Sequence, residues 1–210
     1  MNIIQNYLNI KNEIQLFNKD IKLTVVSKNQ DLSKIELLIN QGHLDFGENK
    51  VQEAILKWSD LIEINKSINL HLIGKLQSNK VKDAFKIFRF IHSLDSENLA
   101  KIFNRLETTE KKKINYFIQV NVGEEPQKGG ISAPLVNEFV DYCKNDLKLN
   151  ILGLMCIPPK YKSPDSFFLK LKELNDINNL KYLSMGMSGD FKVAIKLGSN
   201  FVRIGSAIFN

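Results

Sequence analysis

A lysine stands directly after a short apolar segment near the start of the chain, in the stretch LTVVSKNQ at residues 23–30. Short, β-branched segments of this kind are typical of strands that are buried on both faces. Lys28 therefore lies at the carboxyl end of a predicted core strand. A primary amine held there can form a Schiff base with an aldehyde. A lysine that merely points into water where the strand stops is the other interpretation.

Small residues and hydroxyl residues follow the last two predicted strands, in the motifs GMSGDF and RIGSAIF. These residues are Gly186, Ser188, Gly205 and Ser206. A bare backbone lets an anion approach closely, and serine hydroxyls add hydrogen-bond donors. The motifs predict a phosphate site, although glycines that serve only as turns are the alternative. An amine, a phosphate site and the cation Arg203 together favour a phosphorylated aldehyde, and pyridoxal 5′-phosphate (PLP) fits that description.

The formal net charge of the chain is +6, a sign of charge that also occurs in nucleic-acid-binding proteins. The lysines are spread along the whole chain, and an anionic small ligand accounts for a positive field equally well. We therefore expect no nucleic-acid partner. The three histidines, His43, His71 and His92, lie too far apart for metal-ligand spacing, so we expect no metal site.

At 210 residues, 43% of them hydrophobic, the chain can bury one sizeable core. It has no apolar run of the roughly 18 residues that suggest a transmembrane helix, and its mixed polar N-terminus is unlike a signal peptide. Cys143 and Cys156 are too few for a disulfide framework and fit a reducing compartment. These features predict a cytoplasmic protein that does not enter a membrane.

Short apolar strands alternate with amphipathic helical segments from end to end. The predicted strands are 22–28, 45–48, 70–74, 90–94, 116–121, 151–157, 182–187 and 201–206. Eight strands, each followed by a helix except the last, predict an α/β fold of the (β/α)8 TIM-barrel type. An open doubly wound sheet is the alternative. We expect a single domain over residues 1–210, with a helix at 1–20 and the barrel at 22–210.

Polar residues and glycines collect at the carboxyl ends of the predicted strands, where TIM barrels carry their chemistry. Besides Lys28 they include Glu48, Asn49, Gly74, Asn121, Ser184 and Arg203. Helix boundaries between the strands also carry signals. Ser96 and the pair Ser163–Pro164 are typical helix starts, and Gly42 and Gly198 are typical residues just past a helix end.

Seven motifs follow one another from about residue 22 to the C-terminus. They are TVVSK, FGENKVQEA, HLIGKLQSNK, IQVNVGEEPQKGGI, GLMCIP, LSMGMSGDF and FVRIGSAIFN. Together they resemble the motifs of the pyridoxal-phosphate homeostasis proteins, which are single-domain barrels related to the N-terminal domain of bacterial alanine racemase. The resemblance implies the same fold and PLP as the cofactor.

The resemblance also implies roles for individual residues. Lys28 matches the Schiff-base lysine, Asn49 the asparagine close to the cofactor ring, and Arg203 the arginine that faces the pyridine nitrogen. The residues that match the phosphate-binding positions are Ser188, Gly205 and Ser206. His71 is interpreted as a core histidine, and Gln77 and Asn79 lie in matching motifs without an assigned role.

An arginine opposite the pyridine nitrogen leaves that nitrogen unprotonated, which weakens the ring as an electron sink. Alanine racemases share this feature, so it does not exclude a racemase. Racemisation also needs acid/base groups on both faces of the substrate α-carbon, whereas the sequence ends at AIFN, four residues past Ser206, with no second domain to supply one. We therefore expect a carrier and not an enzyme. It would bind PLP, take part in vitamin B6 and amino-acid homeostasis as a monomer, and contact apo forms of PLP enzymes only transiently. A PLP-dependent racemase or related enzyme is the first alternative, and a Schiff-base aldolase is another.

Overall fold

A computed structural model describes residues 2–210, in which eight parallel strands close into a barrel in sequence order. The strands are β1 (Lys22–Val26), β2 (Asp45–Glu48), β3 (Asn69–Leu72), β4 (Phe90–Leu94), β5 (Asn115–Gln119), β6 (Asn150–Met155), β7 (Tyr182–Ser184) and β8 (Phe201–Ile204). The barrel closes through parallel pairing of β1 with β8. The predicted TIM barrel is thereby confirmed, and the open-sheet alternative is wrong.

Helices connect the strands and surround the barrel. They are α1 (Ile3–Phe17), α2 (Leu32–Asn40), α3 (Val51–Ile64), α4 (Val81–Ile87), α5 (Glu97–Glu110), α6 (Val136–Asp141), α7 (Asp165–Ile177), α8 (Phe191–Lys196) and α9 (Ser206–Phe209). Within residues 2–210, no helix combines the length and the apolar character that a membrane span requires. The helix predicted at 1–20 is observed as α1, and Met1 lies outside the described residues.

The C-terminal end of the barrel differs from the prediction, because β8 is followed by the short helix α9. Four residues are too few to show a helical repeat in the sequence. Helix α9 is held in place by α1, because the side-chain amide of Asn6 in α1 donates to the carbonyl oxygen of Ile208 at 3.1 Å. The C-terminal residues are thus packed against α1, next to the carboxyl end of β8.

Helix boundaries agree with most of the sequence signals. The hydroxyl of Ser96 accepts a hydrogen bond from the backbone N–H of Leu99 at 3.4 Å, as expected of an N-cap. Helix α7 begins at Asp165, directly after Pro164. Gly42 and Gly198 adopt φ angles of +78° and +100° just past their helices, a conformation that favours glycine.

The barrel interior is aromatic and polar, whereas the aliphatic core lies between the strands and the helices. Phe117 and Phe201 meet edge to face inside the barrel, with ring centroids 5.0 Å apart. Burial of each ring contributes about 2–3 kcal/mol to stability. The same interior holds buried polar side chains, namely His71, His92, Ser184 and Arg203. A purely apolar core would not need these polar side chains. Their burial indicates a binding or catalytic role for the barrel interior.

Candidate functional site

The candidate site residues lie at one end of the barrel. Lys28 and Asn49 follow β1 and β2, Ser188 follows β7, and Gly205 and Ser206 follow β8. Since all eight strands are parallel, their carboxyl ends form a single rim. The fold therefore places these residues on one rim, which we call the upper rim.

The side chain of Lys28 is exposed, and its amine has no hydrogen-bond or ion-pair partner within residues 2–210. Asn29 has a φ of +58°, so the backbone turns sharply directly after the lysine. Exposure fits both interpretations of the sequence, because a solvated strand end would also leave the lysine free. The surroundings of Lys28 must therefore decide between them.

A buried carboxylate anchors the backbone directly before Lys28. Oε1 of Glu48 accepts hydrogen bonds from the hydroxyl of Ser27 at 2.7 Å, the amine of Lys57 at 3.0 Å and the indole N–H of Trp58 at 3.0 Å. Lys57 also donates to the carbonyl oxygen of Ser27 at 2.9 Å. The end of β1 is thus tied to helix α3. The position of Glu48 at a strand end was predictable from the sequence, but its anchoring role was not.

Replacement of Glu48 with alanine should lower the free energy of unfolding by about 3 kcal/mol, because it removes the carboxylate partner of the largely buried Lys57 and leaves the Trp58 indole N–H without its acceptor. Urea denaturation measures this change. Glu53→Ala is the matched control, since Glu53 pairs with Lys50 on the surface of the same helix and should cost less than about 1 kcal/mol. Equal losses in the two variants would contradict the anchoring role of Glu48.

Asn49 presents a buried carboxamide oxygen that has no hydrogen-bond partner within residues 2–210. Burying such an acceptor without a partner costs about 1–3 kcal/mol, so it indicates a partner that the chain itself does not supply. The loop after β3 packs tightly over this residue: a Cβ added to Gly74 would lie 2.2 Å from the carbonyl oxygen of Asn49. Asn49 is therefore held firmly on the upper rim, with a buried acceptor that lacks a partner within residues 2–210.

The loops after β7 and β8 meet, because the hydroxyl of Ser188 accepts a hydrogen bond from the backbone N–H of Ala207 at 3.3 Å. Four further backbone N–H groups in these loops donate to no acceptor within residues 2–210. They belong to Ser188, Gly189, Gly205 and Ser206. Unpaired N–H groups on adjacent loops make a favourable anion site. This arrangement fits the phosphate of PLP.

Arg203 lies inside the barrel and is 3% exposed. One guanidinium nitrogen donates to the hydroxyl of Ser184 at 2.6 Å and the other to the carbonyl oxygen of Cys156 at 2.9 Å. No carboxylate pairs with it within residues 2–210. Burial lowers the pKa of Arg203, although interactions with Cys156 and Asp190 oppose that shift. A buried cation of this kind is costly unless a ligand supplies an electron-rich partner.

Two histidines contact this region from within the barrel. His71 is fully buried with both ring nitrogens hydrogen bonded, as expected of a core histidine. His92 is fully buried as well and lies 2.8 Å from the Ser184 hydroxyl through Nδ1. The sequence predicted a place for Ser184 at the rim and no metal-ligand spacing for His92, but not the contact between them. Gln77 and Asn79 are exposed on the loop after β3.

Comparison with known protein families identifies the family to which this chain belongs. The family model for the alanine racemase N-terminal domain matches residues 2–210. The pyridoxal phosphate homeostasis protein of Aquifex aeolicus is 38% identical over 197 residues, which cover 90% of this chain and 86% of that protein. The protein of the same name from Pasteurella multocida is 34% identical, over 99% of this chain and 95% of that one. This chain belongs to the pyridoxal phosphate homeostasis protein family.

Solved structures agree with the family assignment. PipY of Synechococcus elongatus has been determined without PLP and with PLP bound, and both structures match this chain with a TM-score of 0.91 over 100% of both chains. Their sequence identities are 30% and 28%. The alanine racemase of Clostridium difficile matches 99% of this chain with a TM-score of 0.76, but this match covers 56% of the racemase and is 18% identical. That similarity shows the fold alone.

Proposed function

We propose that this member of the homeostasis protein family holds PLP reversibly, protects and delivers it, and takes part in vitamin B6 and amino-acid balance. The observation that carries the proposal is the convergence on the upper rim of the free amine of Lys28 and the unpaired N–H groups after β7 and β8. The PLP-bound PipY structure and the names of the relatives support the same ligand.

Each residue of the site would make a different contact with PLP. Lys28 would bind the aldehyde carbon covalently through a Schiff base, and Asn49 would use its unpaired amide near the ring. Arg203 would face the pyridine nitrogen from inside the barrel. The phosphate would be held by backbone N–H groups and hydroxyls of Ser188, Gly205 and Ser206. When bound, PLP supplies an electron sink for amino-acid chemistry.

Arg203 disfavours demanding carbanion chemistry, but alanine racemases share this arginine, so it does not by itself separate a carrier from a racemase. A guanidinium offers only donors and keeps its charge, so the pyridine nitrogen opposite it stays unprotonated and the ring draws electrons weakly. We propose that the protein acts as a monomer in the cytoplasm, contacts apo forms of PLP enzymes transiently and binds no nucleic acid. An amino-acid racemase is the competing function, because the alanine racemase domain model also describes this chain.

Proton exchange and cofactor transfer separate these functions. The PLP-loaded protein is incubated with L-alanine in deuterated buffer, and deuterium at Cα and D-alanine are measured against free PLP. In parallel, it is mixed with an apo PLP enzyme whose recovered activity is followed. A carrier gives exchange no faster than free PLP and a measurable transfer of cofactor. Exchange at roughly 1 s⁻¹ or more, a typical enzyme turnover, would establish the racemase instead.

An acidic residue in the phosphate site should expel the cofactor. We expect Ser206→Glu to weaken PLP binding about 10- to 100-fold through like-charge repulsion. Because Ser206 is exposed, the stability of the fold should change little. Ser59→Glu, on the exposed face of α3, is the matched control and should bind PLP as the wild type does. Spectroscopic titration with PLP measures the dissociation constants of both variants. Equal affinities would contradict a phosphate site at the upper rim.

A further inference from the structure

A continuous chain of hydrogen bonds crosses the barrel interior. It runs to Arg203 from the end of the barrel opposite the upper rim, which we call the lower end. The guanidinium lies 2.6 Å from the Ser184 hydroxyl, which lies 2.8 Å from Nδ1 of His92. Nε2 of His92 lies 2.9 Å from Nδ1 of His71. Nε2 of His71 lies 3.1 Å from the Asp45 carboxylate, at the start of β2. Four contacts thus join five side chains from different strands.

The chemistry of the two ends determines the direction of every donor in this chain. Arg203 has only donors, so the Ser184 oxygen accepts from it, and the single Ser184 proton is left for Nδ1 of His92. Neutral His92 then carries its proton on Nε2 and donates it to Nδ1 of His71. His71 in turn carries its proton on Nε2 and donates it to Asp45, which is an acceptor when ionised. All four bonds are satisfied with two neutral imidazoles.

The charge states agree with this direction. Burial lowers the pKa of His71 and His92, so both rings stay neutral at ordinary pH. Burial tends to raise the pKa of Asp45, but the hydrogen bond from His71, electrostatic interactions with His71 and His43, and the hydrogen bond from Asn69 together hold that pKa below its ordinary value. The opposite direction requires Asp45 to be protonated so that it can donate to His71, and the lowered pKa disfavours that state.

Aromatic packing holds both imidazole planes. The His71 ring is stacked on Phe90 with centroids 4.3 Å apart and planes 4° apart. The His92 ring is stacked on Phe117 at 4.6 Å and 26°. Neither imidazole can tilt out of its plane without losing this contact, so stacking fixes the two ring planes. A half-turn within the plane would exchange nitrogen and carbon positions and break the hydrogen bonds of the chain.

The lower end of the chain reaches the surface. Asp45 has a quarter of its side chain exposed and lines a cavity of about 230 Å³ together with Lys11, Lys22 and His43. His43 is a separate contact: its Nε2 lies 2.8 Å from the carbonyl oxygen of Asp45, and burial lowers its pKa to about 4. The carboxylate is therefore hydrated on one side, while His71 and His92 are fully buried.

We propose that Asp45, His71, His92 and Ser184 are positioning residues that hold the Arg203 guanidinium in its cofactor-facing orientation from the opposite end of the barrel. The proposal rests on the proposed function, which places Arg203 opposite the pyridine nitrogen. Because the Ser184 hydroxyl donates its hydrogen bond to His92, the lone pairs of the Ser184 oxygen remain directed at Arg203. Together with the carbonyl oxygen of Cys156, they fix both arms of the guanidinium.

Histidine tautomers test the direction of the chain without any cofactor. Two-dimensional ¹H–¹⁵N spectra of ¹⁵N-histidine-labelled apoprotein distinguish protonated from unprotonated ring nitrogens. Single His→Gln variants assign the signals. We expect His71 and His92 each to carry one proton on Nε2, with Nδ1 unprotonated. A proton on Nδ1 of His92 in the wild type would overturn the proposal.

Variants at the lower end of the barrel test whether Asp45 affects PLP binding through the hydrogen-bond chain. Asp45→Ala removes the terminal acceptor, so His71 and His92 should populate both tautomers and the dissociation constant of PLP should rise about three- to tenfold. Asn69→Ala is the matched control, since it removes the other side-chain hydrogen bond to the Asp45 carboxylate but leaves that carboxylate in place as the acceptor of His71. It should keep wild-type tautomers and bind PLP within about twofold of the wild type. Equal behaviour of the two variants would overturn the proposal.

A second variant covers the case in which Asp45→Ala folds poorly. Ser184→Ala breaks the chain beside Arg203, and the tautomer of His92 should become mixed while PLP binding weakens about tenfold. An unchanged His92 signal would contradict the chain. Because the tautomers are measured in apoprotein, the chain can hold even if PLP is found to attach elsewhere. That result would reject the proposed cofactor site, and with it the cofactor-facing role of Arg203, while the direction of the hydrogen bonds would stand.

Discussion

Lys28→Ala is expected to abolish covalent retention of PLP. The wild type should absorb at ~420 nm, the range typical of a PLP–lysine Schiff base, and the variant should lose this band and release PLP on gel filtration. The Lys28 amine makes no hydrogen bond or ion pair within residues 2–210, so the free energy of unfolding should change by less than about 0.5 kcal/mol.

Lys75→Ala is the matched control for this variant, because Lys75 is an exposed lysine after β3 at the same rim. It should keep the absorption band and its cofactor. A Lys28→Ala protein that still binds PLP covalently would move the attachment to another lysine. Loss of the band in both variants would point to a general effect of positive charge on the rim.

Removing the phosphate from the ligand is expected to weaken binding about a thousandfold. Pyridoxal keeps the aldehyde but cannot use the unpaired N–H groups of the loops after β7 and β8. A few charge-assisted hydrogen bonds, each worth about 1.5–3 kcal/mol, together account for roughly 4 kcal/mol. Titration of the apoprotein with PLP and with pyridoxal measures the difference directly.

The Ser206→Glu protein provides the control for the phosphate experiment. Since its loop already repels an anion, it should bind pyridoxal about as well as the wild type does, and the advantage of PLP over pyridoxal should shrink. Wild-type affinities for the two ligands that lie within about threefold of each other would rule out a phosphate site in these loops.

The barrel could be predicted from the sequence because each level of the pattern agreed. Short β-branched strands alternate with amphipathic helices, and residues such as Ser96 and Gly198 mark the helix ends. Most of the predicted strands extend past the observed ends, as at β1, which was predicted over 22–28 but ends at Val26, before the polar Ser27 and Lys28. Strand ends depend on partners across the sheet, which a single segment does not show.

The upper rim could also be predicted, since parallel strands bring their carboxyl ends together whatever their exact register. The interior could not. His71 and His92 are 21 positions apart, and His92 and Ser184 are 92 positions apart. Which inward side chains meet depends on the stagger of the strands around the barrel. The anchoring of Ser27 by Glu48 was missed for a similar reason, because it requires helix α3 to lie against the end of β1.

Borohydride reduction tests the central claim most directly. The PLP-loaded protein is reduced, digested and mapped by mass spectrometry, so that the lysine carrying the reduced cofactor is identified. The proposed site predicts a single modified peptide, with the pyridoxyl group on Lys28. A label on any other lysine, or one spread over several surface lysines, would contradict the claim that the upper rim holds PLP through this residue.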